Sequence, residues 1–383
     1  MKVPLLDLKR RYISIKEKID KAIERVLQTQ HFILGEEVKQ LEEKFARYCN
    51  TKYAIGVASG TDALLLSLKI LGIGKGDYVI TTPFTFFATA GAIYNAGATP
   101  IFVDIEPTTY NIDPDKIKEL LDGASFHTQR LSIKIPKIKA IIPVHLYGLM
   151  ADMNSIVKIA KDFNLEIIED ACQAVGAEHL GQKAGSIGKL GCFSFFPTKN
   201  LGAYGDGGMI TTNEEKIAKG LRSLRVHGSS LDYHHPHVGY NSRLDTIQAA
   251  ILLAEFPYLN KWNEKRLENA KFYAKLLKDI EEIELPNFTK DKKHTFHQYT
   301  IRVKNGKRND LARFLEKKNI GWKIYYPLPL HLQDCFSYLG YRKGDLPISE
   351  KAAEEVLSLP IFPELRKEEI EYVCKTIKSF FTR

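Results

Sequence analysis

The side chains best suited to chemistry are a lysine and an aspartate that each follow a strand-like run. Lys199 comes after the apolar run 191–196, and a glycine-rich stretch over residues 202–208 follows it. Asp170 ends another apolar run, 165–169, upstream of the lysine. A lysine at the end of a buried strand loses hydration, which favours the neutral amine. A neutral amine is a nucleophile that can form a Schiff base with an aldehyde.

Such an amine and such an acid are the pair that pyridoxal phosphate (PLP) chemistry requires. The amine holds the aldehyde of the cofactor, and the acid keeps the pyridine nitrogen protonated so that the ring accepts electrons. The alternative for Lys199 is a surface lysine beside a loop, and for Asp170 an ordinary aspartate at a strand end. The pair therefore needs support from other residues.

Small residues elsewhere in the chain could bind a phosphate. The turn Ser59-Gly60-Thr61 opens a helix-like segment, where free N–H groups and the positive end of the helix dipole favour an anion. The alternative is plain helix capping, for which Ser and Thr are usual. Ser194, which precedes Lys199 by five residues, could also bind the phosphate or be only a small strand residue.

Two more side chains could contact a flat heterocycle. Phe86 lies just past the strand-like run 78–83 and could stack on a ring, although a phenylalanine near a strand end is more often part of the core. Gln173 lies three residues past Asp170. It could donate to the phenolic oxygen of the cofactor or cap the following turn.

Alternating strand-like and helix-like segments position these residues. The strand-like runs are short, apolar and rich in β-branched residues, as expected of strands buried on both faces. They lie at 78–83, 99–105, 141–146 and 165–169, and helix-like segments lie at 61–71, 86–95, 113–121 and 153–163. This alternation predicts an α/β fold in which helices cover a mostly parallel sheet.

The rest of the chain predicts a second, smaller α/β domain. One or two long helices extend from residue 246 to about residue 280. Beyond them, strand candidates lie at 298–303 and 323–325, and helix candidates at 309–318, 349–357 and 367–380. We predict a large domain over residues 1–250, including a short N-terminal arm, and a small C-terminal domain over residues 251–383.

Composition and charge narrow the class of protein. The 383 residues are 44% hydrophobic and 26% charged, which is ordinary for a globular protein. No apolar run reaches the roughly 18–20 residues of a membrane span, and the N-terminus does not resemble a signal peptide. The net charge of +9 comes from lysines interspersed with glutamates, without a basic run among aromatics. Neither nucleic acid nor a membrane is therefore an expected partner.

Cysteines and histidines predict no metal site. The 5 cysteines are scattered and lack Cys-x-x-Cys spacing, which favours reduced thiols in the cytoplasm. His234, His235 and His237 form a short tract, but their spacing does not suit a tetrahedral metal. We interpret that tract as an ordinary loop whose histidines face the mouth of the substrate site.

The order of these motifs resembles that of the DegT/StrS family of PLP-dependent nucleotide-sugar aminotransferases. The resemblance extends over nearly the full chain, from residue 4 to about residue 363. It is carried by Ser59-Gly60-Thr61-x-Ala63-Leu64, Pro143-Val144-His145-Leu146-Tyr147-Gly148, Glu169-Asp170-Ala171-Cys172-Gln173-Ala174, the run 194–200 around Lys199, Gly239-Tyr240-Asn241-Ser242-Arg243-Leu244-Asp245-x-x-Gln248-Ala249-Ala250, and Tyr326-Pro327-x-Pro329-Leu330-His331.

The resemblance implies the PLP-dependent transferase fold of type I and a role for each matching residue. Lys199 would hold the cofactor and shuttle the proton of the reaction. Asp170 would pair with the pyridinium nitrogen, and Gln173 would contact the ring oxygen. The phosphate would be bound by Gly60, Thr61 and Ser194, and the ring face would be covered by Phe86.

The resemblance also implies partners. Asn241 would reach the cofactor phosphate of a partner subunit, which makes the protein a homodimer with shared active sites. A nucleotide-linked sugar would lie near Arg243, Tyr325, Tyr326 and His331.

The reaction implied by the resemblance moves an amino group from glutamate to a keto group of a nucleotide-linked sugar. The runs 241–245 and 325–331 favour the 3-keto position, and the 4-keto branch of the family is the alternative, since it often carries a Met and a non-acid in place of Leu244 and Asp245.

Other classes are less favoured. A sugar 3-dehydratase of the same fold would lack Lys199, and a non-catalytic regulator would not need the complete set of site residues. An amino-acid aminotransferase would need a late arginine to clamp a carboxylate, but Arg342 and Arg366 lie in charged, exposed-looking runs.

Overall fold

The computed structural model describes residues 1–123, 135–230, 233–288 and 291–382. Strands are numbered in chain order through these ranges. They are β1 (Tyr53–Val57), β2 (Tyr78–Thr81), β3 (Thr99–Phe102), β4 (Ile138–Ile141), β5 (Glu166–Asp170), β6 (Glu178–His179), β7 (Gln182–Lys183), β8 (Leu190–Ser194), β9 (Gly208–Thr212), β10 (Ile283–Glu284), β11 (Lys292–Lys293), β12 (Tyr299–Val303) and β13 (Val356–Leu359).

The α-helices of the same ranges are also numbered in chain order. They are α1 (Leu8–Thr29), α2 (Glu36–Cys49), α3 (Gly60–Ile70), α4 (Ala88–Asn95), α5 (Pro114–Leu121), α6 (Met153–Asp162), α7 (Glu215–Leu224), α8 (Thr246–Glu255), α9 (Leu259–Leu277), α10 (Arg308–Lys317), α11 (Pro347–Glu355) and α12 (Lys367–Phe381). None of these helices combines the length and apolar character needed to cross a bilayer.

A seven-stranded sheet forms the centre of the larger part of the molecule. Its strand order is β1-β9-β8-β5-β4-β2-β3. The pairs from β8 to β3 are parallel, and β9 runs antiparallel to both of its neighbours. The mostly parallel sheet confirms the predicted α/β class.

Both faces of this sheet are buried under helices, as its apolar strands require. One face packs with Phe45 of α2 and with side chains of α5, α6 and α8. The other face packs with Leu64 of α3 and with side chains of α4 and α7. The carboxyl ends of the parallel strands consequently remain at one open edge, where ligands of open α/β sheets bind.

A separate apolar cluster forms the core of the smaller part. It joins α9, α10 and α12 to the sheet β10-β12-β13. Val3 is fully buried in this cluster and pairs with Ile320 as a parallel bridge. The N-terminal segment therefore packs with the second core, although the boundary predicted at residue 250 assigned it to the first.

Some predicted segments differ from those in the structure. The long helical stretch after residue 245 is two α-helices, α8 and α9, joined by a 3-10 turn at Phe256–Tyr258 because Pro257 cannot continue a helix ladder. The helix predicted at 349–357 ends at Glu355, and the chain continues as β13. The strand predicted at 323–325 is only a bridge between Lys323 and Ser358.

Candidate active site

The predicted amine and acid lie at the carboxyl edge of the large sheet. Asp170 is the last residue of β5, and it pairs in register with Cys192 of the neighbouring strand β8. Lys199 follows the end of β8 at Ser194. The parallel pairing of β5 and β8 therefore brings the two candidate residues to the same edge.

The carboxylate of Asp170 has a fixed orientation. The side chain is 5% exposed. Its Oδ2 accepts a hydrogen bond from Thr89 Oγ1 at 2.8 Å, and its Oδ1 accepts one from the backbone N–H of Cys172 at 3.2 Å. Each carboxylate oxygen has further lone pairs, so the group can still accept from the N–H of a heterocycle.

Lys199 is half-buried as a residue. Its backbone N–H donates to Phe196 O at 2.8 Å, which closes a tight turn after the strand. Burial lowers the pKa of the Lys199 amine below its ordinary value, against the opposing attraction of Cys172 and Asp170. A larger fraction of this amine is therefore neutral near neutral pH than in an exposed lysine, as a nucleophile requires.

A cradle for an anion lies beside these residues, at the start of α3. Ser59 caps the helix and accepts from the N–H of Asp62 at 3.1 Å. The N–H groups of Gly60 and Thr61 belong to the first turn, which has no intrahelical acceptor for them. Oriented N–H groups at a helix start form a binding site for phosphate.

Gly60 is the residue that lets this cradle reach the end of β8. A Cβ at Gly60 would lie 2.6 Å from Ser194 Cβ and 2.9 Å from Cys172 Sγ, which is too close for any side chain. Ser194 Oγ accepts from the N–H of Phe196 at 3.2 Å, so its hydroxyl hydrogen is available to a ligand. The predicted phosphate residues are thus brought together.

Phe86 and Tyr326 form an aromatic pair beside Gln173. Phe86 is 57% exposed, and its ring centroid lies 6.4 Å from that of Tyr326. Gln173 Nε2 donates to Tyr326 Oη at 2.9 Å, while Gln173 Oε1 accepts from the N–H of Tyr147 at 2.9 Å. The exposed ring of Phe86 leaves one face available to stack on a planar ligand.

Three of the four predicted substrate residues and Asn241 remain accessible. Tyr325, Tyr326 and Arg243 are partly buried, and Asn241 is exposed. Burial raises the pKa of both tyrosine hydroxyls, so they remain protonated donors. The side chain of Asn241 thus remains open to a ligand or to another chain.

His331 lies apart from the accessible residues. It is 1% exposed, and its Nε2 lies 3.0 Å from Glu350 Oε1. It packs near Tyr341, with a ring-centroid distance of 5.9 Å. The imidazole is therefore enclosed by protein and does not line the exposed mouth.

Sequence reasoning missed Thr89, which orients Asp170. Thr89 lies in the first turn of α4 and also exchanges a hydrogen bond with Thr85 at 3.1 Å. Its spacing of three residues from Phe86 places both on one turn. That spacing is the only sequence signal that could have identified it.

Sequence reasoning also missed a buried pair behind the site, His145 and Glu169. Glu169 is fully buried, and its carboxylate accepts from the N–H groups of Gly185, Ile187 and Gly188 at 2.8, 2.7 and 2.6 Å. Its Oε2 also lies 2.9 Å from His145 Nε2. Because His145 Nδ1 accepts from the N–H of Ala151 at 3.3 Å, the proton lies on Nε2 and is donated to Glu169. This network fixes the residue that precedes Asp170.

The residues of the site fit PLP. A lysine with a lowered pKa, an oriented carboxylate, a helix-start cradle that admits no Cβ and an exposed aromatic ring match the aldehyde, the ring nitrogen, the phosphate and the ring face of that cofactor. Within the described ranges, no cluster of three or more His, Cys, Asp or Glu residues could hold a metal ion.

Full-length relatives are similar to this chain in sequence. The chain is 49% identical to a "Pleiotropic regulatory protein" of Geobacillus stearothermophilus, over 100% of this chain and 99% of that one. It is 43% identical to a UDP-N-acetyl-3-dehydro-α-D-glucosamine 3-aminotransferase of Acidithiobacillus ferrooxidans, over 98% and 97%. It is also 43% identical to a dTDP-3-amino-3,6-dideoxy-α-D-galactopyranose transaminase of Aneurinibacillus thermoaerophilus, over 99% of each chain.

Solved structures show the same fold. DesV of S. venezuelae, in complex with a ketimine intermediate, superposes with a TM-score of 0.93 at 38% identity, over 100% of this chain and 99% of that one. NtdA of Bacillus subtilis, with bound cofactor PMP, superposes with a TM-score of 0.90 at 35% identity, over 100% and 86%.

The family model of the DegT/DnrJ/EryC1/StrS aminotransferases matches residues 13–378. The family match, the full-length relatives and the fit of the site together show that PLP is the cofactor of the enzyme. The protein is a type I PLP-dependent transferase in fold and an aminotransferase in activity. The chain belongs to the DegT/DnrJ/EryC1/StrS aminotransferase family.

Proposed function

We propose that the enzyme transfers an amino group from glutamate to the 3-keto carbon of a nucleotide-linked sugar. The observation that carries this proposal is the meeting of Lys199, Asp170 and the Gly60 cradle at one edge of the sheet. The names of the two full-length 3-amino-sugar relatives support the sugar class and the 3-position. Glutamate is the donor that we carry over from the family resemblance.

Each residue of the site then has a defined task. PLP, when bound, supplies an aldehyde that takes up the amino group and a ring that accepts electrons. We assign to Lys199 the covalent hold on that aldehyde and the movement of the reaction's proton. The carboxylate of Asp170, held by Thr89 and Cys172, keeps the ring nitrogen protonated.

The remaining contacts orient the cofactor. Gly60, Thr61 and the free hydroxyl hydrogen of Ser194 bind the phosphate, and Phe86 covers one face of the ring. We assign Gln173 to the phenolic oxygen, because its amide nitrogen already faces the ligand side at Tyr326. Exclusion of water by these groups favours the reactive neutral form of the Lys199 amine, whose pKa burial lowers.

The substrate sugar and its diphosphate lie in our proposal against Tyr325, Tyr326 and Arg243. We assign His331 an indirect role, because the neighbouring Leu330 donates its N–H to Pro83 O at 2.8 Å. That bond fixes the loop that carries Phe86. The imidazole, paired with Glu350, holds the segment that makes this contact.

The half-reaction of the enzyme with glutamate tests the function. Cofactor-loaded enzyme absorbs at roughly 410–430 nm while the lysine holds PLP, and glutamate is expected to remove that band. Offered 3-keto and 4-keto dTDP-sugars and UDP-sugars in turn, the aminated enzyme is expected to recover the band with a 3-keto sugar. Absorbance after rapid mixing measures both steps.

Controls separate the parts of this proposal. Alanine and aspartate in place of glutamate are expected to leave the band unchanged. Recovery only with a 4-keto sugar would overturn the 3-position while leaving aminotransfer intact. A band that glutamate never bleaches would instead overturn the assigned donor.

We also propose that the enzyme is a homodimer whose sites are shared. The segment 233–240 carries Tyr233 and Val238, which are 97% and 95% exposed, and Asn241, which follows it, is exposed as well. The residue after Asn241 is held in place, because Ser242 Oγ donates to Asp62 Oδ2 at 2.7 Å. The exposed Tyr233 and Val238, close in the chain to Asn241, support a contact with another subunit at this segment.

Mixing two inactive variants is expected to restore activity if Lys199 and Asn241 of one site come from different chains. Lys199→Ala removes the amine, and Asn241→Asp places a negative charge beside the phosphate. A mixed dimer has one site with both changes and one site with neither, so a 1:1 mixture after subunit exchange should regain about a quarter of wild-type activity. Steady-state amino transfer measures this gain. Activity no higher than that of the parents would contradict shared sites.

A further inference from the structure

Two adjacent arginines at the start of α1 bind opposite parts of the molecule. Arg10 donates to Glu369 of α12 through two nitrogens, at 2.7 and 2.8 Å. Arg11 forms an ion pair with Glu255 of α8, and its Nη1 donates to the backbone carbonyl of Lys199 at 3.1 Å. A single turn of helix thus connects the second core to the main chain of the lysine.

Arg11 is held from several sides. Its side chain is 8% exposed, and that of Glu255 is fully buried. Its guanidinium carbon lies 4.4 Å from the centroid of the Trp262 ring. Burial lowers its pKa to about 10, so the group remains a cation at neutral pH. A buried hydrogen bond from a cation is about twice as strong as a neutral one.

The main chain around Lys199 is fixed on its other sides by neutral groups. Lys199 N–H donates to Phe196 O. The next residue, Asn200, donates through Nδ2 to Asn263 Oδ1 at 2.8 Å and to Thr295 O at 3.0 Å. Arg11 therefore supplies the charged side-chain contact to the backbone carbonyl of Lys199. The position of this carbonyl determines where the Lys199 side chain begins.

The segment before Arg10 is anchored in the second core. Val3 N–H donates to Asn319 O at 2.9 Å, and Gly321 N–H donates to Val3 O at 2.8 Å. Gly321 is required there, since a Cβ would lie 2.4 Å from Leu5 N. Two contacts thus hold the helical turn that carries Arg11. Val3 anchors the segment that precedes the turn, and the Arg10–Glu369 pair anchors the turn itself.

We propose that Arg11 is a positioning residue that sets the place of the Lys199 amine through the Lys199 carbonyl. The inference rests on the function proposed above for Lys199. The amine is joined to the main chain by its four-carbon stem, so a shift of the main chain at Lys199 displaces the amine relative to the carbon it attacks. Misplacement by about 1 Å can lower the rate of such a step by about 100-fold.

Arg11→Lys tests this role. An ammonium can keep the ion pair with Glu255, but it lacks the planar fork that also reaches the Lys199 carbonyl. The measurement is the rate at which the full-length enzyme, freed of cofactor, recaptures PLP, followed at roughly 410–430 nm across pH. The capture rate is expected to rise with pH to a plateau, because only the neutral amine attacks.

The expected result for Arg11→Lys is a plateau about tenfold lower, with the pH midpoint unchanged. A misplaced amine reacts more slowly but stays buried, so its lowered pKa persists. Arg308→Lys is the matched control, because Arg308 is 8% exposed and donates to two backbone carbonyls, Ala353 O and Val356 O, both at 3.1 Å. Its plateau and midpoint are expected to match the wild type within about twofold.

Other outcomes overturn the proposal. An unchanged plateau with a lowered melting temperature would show that Arg11 is only structural. A midpoint that moves up towards that of ordinary lysine would show that water has entered, so that Arg11 seals the site rather than positions the amine. Wild-type enzyme that captures no PLP would instead refute the proposed function.

A second variant covers the case in which Arg11→Lys does not fold. The pair Arg11→Gln with Glu255→Gln removes both buried charges together, which avoids leaving one of them unpaired. It is expected to lower the plateau as Arg11→Lys does. Wild-type capture by this pair would refute the positioning role.

Discussion

Replacing Lys199 by alanine is expected to abolish amino transfer. The variant loses both the nucleophile that holds the cofactor and the group that moves the proton. The acid–base part alone is worth roughly 10²–10⁴-fold in rate, so turnover should fall by at least about 10³-fold. Steady-state kinetics with glutamate and the keto sugar measure this loss, and the absorbance of lysine-bound PLP should disappear with it.

Lys189→Ala is the matched control for this loss. Lys189 immediately precedes β8, and its amine pairs with Glu166 at 2.7 Å at the opposite end of the strand from the site. Surface pairs of this kind contribute little, so its activity should stay within about twofold of wild type. Substantial turnover by Lys199→Ala would remove the central assignment of the site.

Replacing Asp170 by asparagine is expected to lower kcat while leaving the capture of PLP by Lys199 intact. Asparagine has the same shape and can keep contacts to Thr89 and Cys172, but it carries no charge to hold a proton on the ring nitrogen. Removing one preorganised electrostatic group from an active site costs roughly 10²–10³-fold in kcat. Single-turnover kinetics with glutamate measure the step that weakens.

Asp162→Asn, at the exposed end of α6, serves as the control for the loss of one negative charge. It is expected to change neither kcat nor the absorbance spectrum. Full activity of Asp170→Asn would contradict the role assigned to the carboxylate. Failure of that variant to bind PLP at all would show that Asp170 is needed for binding rather than for the chemistry.

The sequence predicted the parallel strands β2, β3 and β5 well because each is a short apolar run buried on both faces, but the strand predicted at 141–146 was wrong, since it shares only Ile141 with β4. The predicted runs 78–83, 99–105 and 165–169 contain or closely overlap β2, β3 and β5. It did not predict β1 or β9. β1 contains a glycine, and β9 begins with one directly after the glycine-rich stretch, so local pattern favoured a loop in both places. β1 pairs with β9, and β9 also pairs with β8. These contacts between distant parts of the chain stabilise both segments as strands.

The site was predictable wherever a motif lies at the end of an element. Asp170, Ser194 and Gly60 meet because parallel strands end at one edge and a helix starts beside them. Thr89, Glu169 and Arg11 were not predicted, since their roles depend on contacts between residues far apart in the chain. His331 was predicted from its motif to lie near the substrate. The motif did not reveal that its side chain is enclosed by protein and hydrogen-bonded to Glu350.

The pairing of Val3 with Ile320 bears on how the enzyme matures on the ribosome. A chain emerges amino end first, and domains tend to fold as they emerge. The strands of the large sheet, the last of which ends at Thr212, are all translated before Ile320, the pairing partner of Val3. The Val3 bridge that fastens the segment before Arg11 is therefore completed only after Ile320 has emerged, late in biosynthesis.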